Sequence, residues 1–140
     1  MLIVGIGSRL RRDDAVGRLV ADAVAELDLP GVEVRSVHQL VPELAATMVG
    51  RRRVVFVDAT VSDIEVTERA VPAGTVDGPM THHLDPAALV GLAGMLGDAP
   101  AEVLVVSVPA ADLRIGTELS PTSADAVREA VGRLVAIWRQ

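Results

Sequence analysis

The chain contains no cysteine, no lysine and no tyrosine, and it has a single phenylalanine and a single tryptophan. Each absence closes a class of function. Without cysteine there is no disulfide, thiol nucleophile, iron–sulfur cluster or Cys-type zinc site. So few aromatic rings leave nothing for nucleic-acid bases to stack on. A net charge of −6 opposes the phosphate neutralisation on which general nucleic-acid binding rests. Long apolar runs are missing too: none approaches the roughly 20 residues of a membrane span. The N-terminus passes directly into a strand, so no signal peptide is expected. These absences predict a cytoplasmic protein that engages neither nucleic acid nor membrane.

What is present is globular. Half of the 140 residues are apolar and 23% are charged, which suits one domain, 1–140, with its own core. LIVGI (2–6) is a short apolar run ended by glycine, the pattern of a strand buried on both faces. Val16, Leu19, Val20, Ala23, Val24 and Leu27 follow at helical spacing, and Pro30-Gly31 closes that helix. VEVRSV (32–37) reads as a strand. PELAATMVG (42–50) reads as a short helix with Pro42 in its first turn and Gly50 past its end. RRVVFVDA (52–59) is a second buried strand carrying Asp58 at its carboxyl end, and IEVTERAV (64–71) alternates like an edge strand. A loop spans 74–81.

DPAALVGLAGMLG (85–97) opens with an Asp-Pro helix start, AEVLVVSV (101–108) is a third buried strand, and Ser120-Pro121 starts the last helix. That helix is expected to turn Val127, Val131, Leu134 and Trp138 inward. Strands alternating with helices predict an α/β, three-layer architecture: a mostly parallel twisted sheet of about five strands with helices on both faces.

Three nucleotide or phosphate readings fail on residues. GIGSRL has Leu10 where G-x-G-x-x-G requires its third glycine, and a P-loop needs a lysine that the chain lacks. Acidic residues after the first strand, with Asp58 ending a later one, resemble phosphoacceptor receiver domains. Those domains pair the phosphorylated aspartate with a lysine, which is again absent.

Geometry offers more. Ligands of an open parallel sheet gather beyond the carboxyl ends of its strands, where the winding direction changes. Asp14 follows the first strand and Asp58 ends the third, and these strands are commonly neighbours. PMTHHLDP adds His82 and His83 at the mouth of the 85–97 helix. Two carboxylates and an imidazole make an O,O,N set suited to a divalent transition metal with open coordination positions. Plainer roles compete at each position. Asp13 or Asp14 can cap the following helix; Asp58 can cap a turn; His82 and His83 can be loop residues. His38, in VHQLVPEL, reads as structural or surface-exposed, and Arg51-Arg52-Arg53 as a solvated turn, with meeting an acidic partner as the alternative.

The motifs in order resemble the endopeptidases that mature nickel–iron hydrogenases. That family begins with a strand, Gly-x-Gly-Asn and then Asp-Asp/Glu-Gly-x-Gly opening a helix, matched by GIGSRLRRDDAVG. It continues with a strand ending in Asp-Ala, matched by VVFVDAT, and with Thr/Ser-His ahead of a helix, matched by MTHHLDPAAL. Gly-x-x-Leu-Ser before the last helix is matched by GTELSP. The likeness covers almost the whole chain. Two positions depart from it: Ser8 stands for the usual Asn, and Ala15 for the usual Gly after the acidic pair. Ser8 can still hydrogen-bond within a turn, and Ala15 requires a backbone that does not depend on positive φ.

The resemblance implies a small α/β peptidase that removes the C-terminal extension of a [NiFe]-hydrogenase large-subunit precursor after nickel insertion. It implies Asp14, Asp58 and His82 as metal contacts, with His83 as the alternative imidazole, and Asp14 and Asp58 as the catalytic carboxylates. The metal it implies is nickel carried by the substrate, for which zinc or another divalent ion could substitute in a crystal. No serine sits in a G-x-S-x-G elbow, so a covalent acyl-enzyme is disfavoured. The metal either polarises the carbonyl or activates water, with an aspartate as general base, or it only positions the substrate. A related non-catalytic module that binds a metal or partner is the alternative function.

Overall fold

The structure, a computed structural model, describes residues 1–7, 15–61, 64–72, 84–110 and 119–140. Five strands form one sheet: β1 (Leu2–Ile6), β2 (Glu33–Val37), β3 (Arg53–Thr60), β4 (Thr67–Ala70) and β5 (Glu102–Pro109). Their order is β2-β1-β3-β5-β4, and all neighbours run parallel except β4, which pairs antiparallel with β5. The helices are α1 (Val16–Glu26), α2 (Leu44–Met48), α3 (Pro86–Leu96) and α4 (Pro121–Trp138).

Side-chain alternation along the strands divides the apolar residues into two cores. Ile3, Val55, Val57, Leu104, Val106 and Val108 meet α1 and α4 on one face of the sheet. Leu2, Val4, Val54, Phe56, Val103 and Val105 meet α2 and α3 on the other. The expected three layers are therefore present, and every β1 side chain is buried because β1 has a strand on each side and helices on both faces.

Glycines set how closely α1 approaches the sheet. A Cβ on Gly5 would lie 2.4 Å from the Gly17 carbonyl oxygen and 2.5 Å from the Ala21 Cβ. A Cβ on Gly17 would lie 2.4 Å from the carbonyl oxygens of both Ile6 and Val57. The first turn of α1 thus rests directly on the backbone at the carboxyl ends of β1 and β3.

Several expectations shift in detail. Helix α2 opens at Leu44 with Glu43 as its cap, so Pro42 precedes the helix and does not lie in its first turn. Strand β3 continues past Asp58 to Thr60 because β5 keeps pairing with it that far. The buried stripe of α4 is Ser123, Ala126, Ala130, Leu134 and Ile137. Val127 and Val131 are partly buried at its flank, because alanines fill the line of closest approach. Trp138 lies beside that stripe, with its indole N–H donating to the Pro30 carbonyl at 3.1 Å.

The arginine triplet is not simply a solvated turn. Arg51 meets Glu33 at 3.2 Å, and Arg53 meets Glu102 at 2.6 Å while also donating to the Ile137 carbonyl. Hydrogen bonds from Arg51 and then Arg35 hold the Glu33 carboxyl below the usual range. Among the described residues no helix is long and apolar enough to cross a membrane.

Candidate active site

The chain runs from β1 to β2 on one side of the sheet and then crosses over β1 to β3 on the other. The winding direction therefore changes between β1 and β3, and a crevice opens there beyond the carboxyl ends of the strands. It is a cleft of about 730 Å³ on the α2/α3 face. Ile6, Phe56 and Val105 make an apolar floor, and Leu40, Val41 and Leu84 line its helical side.

Asp58 stands in this cleft. The registered pairing of β1 with β3 ends at Gly5↔Val57, whereas β3 and β5 pair on through Asp58↔Ser107 to Thr60↔Pro109. Asp58 is therefore carried by a stretch of β3 that outruns β1 and opens onto the crevice. Its Oδ1 accepts the Ala59 N–H at 2.8 Å, which fixes the rotation of a half-buried carboxylate.

The other two side chains implied as metal contacts, Asp14 and His82, lie outside the described residues, as do Asp13 and the alternative His83. Of their described neighbours, Ala15 caps α1 and Leu84 lines the cleft. Ala15, which follows Asp14, is buried and takes the capping position of α1 at φ −79°, ψ −8°. The backbone there does not depend on positive φ, so alanine replaces the family glycine without strain. The cap position of α1 is Ala15, the residue after the Asp13-Asp14 pair that the sequence offers as caps. Leu84, which follows His83, lines the cleft, and the next residue, Asp85, caps α3 by accepting the Ala88 N–H at 2.8 Å. Among the described residues no cluster of three His, Cys, Asp or Glu side chains could hold a metal.

No protein-family model matches the chain, and no curated protein is similar to it in sequence. Solved structures are similar in shape. The hydrogenase maturating endopeptidase HybD from E. coli superposes with a TM-score of 0.75 at 20% identity, over 99% of this chain and 91% of that one. The chain has the hydrogenase maturation endopeptidase fold. The [NiFe] hydrogenase maturation protease HybD from Thermococcus kodakarensis gives 0.71 at 22% identity, over 97% of each chain. A hydrogenase 2 maturation peptidase from Thaumarchaeota archaeon SCGC_AB-539-E09 gives 0.71 at 22%, over 98% of this chain and 96% of that one. The endopeptidase fold thus spans both chains nearly end to end.

The structure adds cleft residues that the sequence reading did not assign to a site. His38 is exposed, as expected, but it stands in the cleft wall at the end of β2. The Gly7 N–H donates to the Val37 carbonyl at 3.0 Å, which ties the exit of β1 to the residue just before His38. Ser107, Thr60 and Arg69 also line the cleft. The rule that ligands gather at strand carboxyl ends singles out His38 and Ser107 once strand ends are known. Arg69 lies on an edge strand whose facing is set by register alone.

Proposed function

We propose that this chain is an endopeptidase that removes the C-terminal extension of a nickel-loaded [NiFe]-hydrogenase large-subunit precursor in the cytoplasm. The observation that carries this reading is the position of Asp58. In a chain with the hydrogenase maturation endopeptidase fold, it opens into the crevice at the β1/β3 switch point. In sequence Asp14 directly precedes Ala15, the cap of α1, and His82 lies two residues before Leu84, which lines the cleft.

The donor set fits the metal. Two hard carboxylates and one borderline imidazole suit a divalent first-row ion, and three protein donors leave positions for the precursor's own ligands. In this reading Asp14, Asp58 and His82 contact nickel that arrives with the substrate, so only a loaded precursor is held in register. The chemistry such an ion would supply when bound is Lewis-acid polarisation of the scissile carbonyl.

The remaining work belongs to the chain. Asp58 or Asp14 takes a proton from water as the new carbon–oxygen bond forms. It then returns that proton to the amide nitrogen as the carbon–nitrogen bond breaks. With no cysteine in the chain, this hydrolysis proceeds by direct attack of water and not through a thioester.

The test is cleavage of a nickel-loaded precursor, followed by intact mass. Wild type is expected to remove the tail. Asp58→Asn is expected to slow cleavage by about 100-fold or more, the scale of a lost general base. Asp14→Asn and His82→Ala are expected to fail alike, and the nickel-free precursor to stay intact. Equal cleavage by Asp58→Asn and wild type would remove Asp58 from the mechanism. Nickel-dependent binding without any cleavage would favour the non-catalytic module.

A further inference from the structure

The register of the sheet brings a cation to the far end of the cleft. Asp58 pairs with Ser107, and Ser107 pairs with Thr67, so these three side chains form one row across β3, β5 and β4. Phe56, Val105 and Arg69 form the adjacent row on the same face. All of these except Thr67 line the cleft, which therefore runs from the Asp58 carboxylate over an apolar floor to the Arg69 guanidinium at the sheet edge.

The neighbouring Glu68 points to the opposite face, where Arg133 approaches it at 4.0 Å. Arg69 has no ion-pair or hydrogen-bond partner among the described residues. A guanidinium at the rim of a groove with an apolar floor, with its donors unmatched among the described residues, suits a planar carboxylate that accepts two hydrogen bonds.

Spacing fixes where that carboxylate must be. Two strand spacings of about 4.8 Å and two residues of about 3.3 Å separate the Asp58 and Arg69 backbones by roughly 12 Å. An extended peptide covers that distance in about three to four residues. A cleft of about 730 Å³ has the scale of a small-ligand pocket, so it admits an extended segment and not the folded body of a protein. In a precursor cut near its C-terminus, the free extension is the segment able to enter.

We infer that Arg69 is a specificity-determining anion subsite for a carboxylate on the C-terminal extension, about three to four residues beyond the scissile bond. This inference rests on the peptidase reading above. The carboxylate is either an acidic side chain or the terminal α-carboxylate.

The experiment compares wild type, Arg69→Lys and Arg69→Glu on the nickel-loaded precursor. It repeats the comparison on a precursor whose extension carries lysine in place of its acidic residues. Arg69→Glu keeps a charge on the edge strand, so protection against edge pairing is retained. For the native precursor, Arg69→Glu is expected to raise KM about tenfold with kcat within about twofold, the signature of lost uniform binding. Arg69→Lys is expected to fall between it and wild type. The lysine-bearing extension reverses the preference where the carboxylate is a side chain and leaves it unchanged where it is the terminal α-carboxylate.

Two competitor peptides of the extension separate the sources, one with an amidated C-terminus and one with its acidic side chains as amides. Whichever competes worse identifies the carboxylate. If wild type cleaves the precursor while Arg69→Glu has an unchanged KM, this inference falls and the peptidase reading stands. If wild type cleaves nothing, the peptidase reading falls. Fluorescence anisotropy of the labelled extension peptide then decides the subsite: binding lost in Arg69→Glu upholds it, and equal binding overturns it.

Discussion

Gly17 is where helix and sheet come closest, and the contact is backbone against backbone. A methyl there would sit 2.4 Å from the Ile6 and Val57 carbonyl oxygens, neither of which is a side chain able to rotate away. Gly17→Ala is therefore expected to destabilise the fold by on the order of 1–3 kcal/mol in urea denaturation, the scale of an overpacked core. Gly132, in α4, has nothing within 4 Å of its would-be Cβ. Gly132→Ala is expected to stabilise by about 0.8–1 kcal/mol through helix propensity alone. Opposite signs for one substitution at two helical glycines check whether the α1 contact is as tight as the geometry states. Equal effects would contradict it.

Residue-level legibility was uneven for physical reasons. Asp58 could be read from the sequence because an acidic residue ending a continuous apolar run has a strand's carboxyl end as its natural place. Arg69 could not, since alternation in TERA does not say which face of the sheet is which. Facing depends on pairing Arg69 with Val105, a partner far along the chain. His38 was readable as exposed but not as a cleft residue, because that required knowing that β2 lies beside β1.

At the scale of elements, the buried strands were the most legible parts, since apolar runs bounded by glycine or charge leave few alternatives. The helix faces were less so. In α4 the sequence suggests Val127, Val131, Leu134 and Trp138 as the inner stripe; Leu134 is in the buried line, but Ala126 and Ala130 hold it beside Leu134 and the valines flank it. Hydrophobic size misleads where two layers pack closely, because the nearest positions must be small. Caps followed their chemistry more closely: Ser120 accepts from Ser123 N at 3.2 Å, and Asp85 accepts from Ala88 N at 2.8 Å. Asp85→Ala is expected to cost about 1 kcal/mol of stability in urea denaturation, with Asp85→Ser retaining most of it. Asp85 also lines the cleft, so fraying the first turn of α3 loosens a wall of the candidate site.

For the whole molecule, the consequential feature is that β5 inserts between β3 and β4, although β4 comes between them in sequence. Strands β2, β1 and β3 lie within the first 60 residues and already neighbour one another. Strand β4 gains its sheet neighbour only when β5 arrives, by way of the long-range pairing Arg53↔Glu102 and its successors. Loop closure disfavours such contacts until late, and synthesis delivers them last. In pulse-labelled hydrogen exchange during refolding, the amides of 67–70 are expected to gain protection after those of 54–57. The reverse order would refute this. On the ribosome, a nascent chain halted before β5 would hold its acidic end of the groove but not its basic rim. The newborn protein would then complete this groove from end to end only near the close of its own translation.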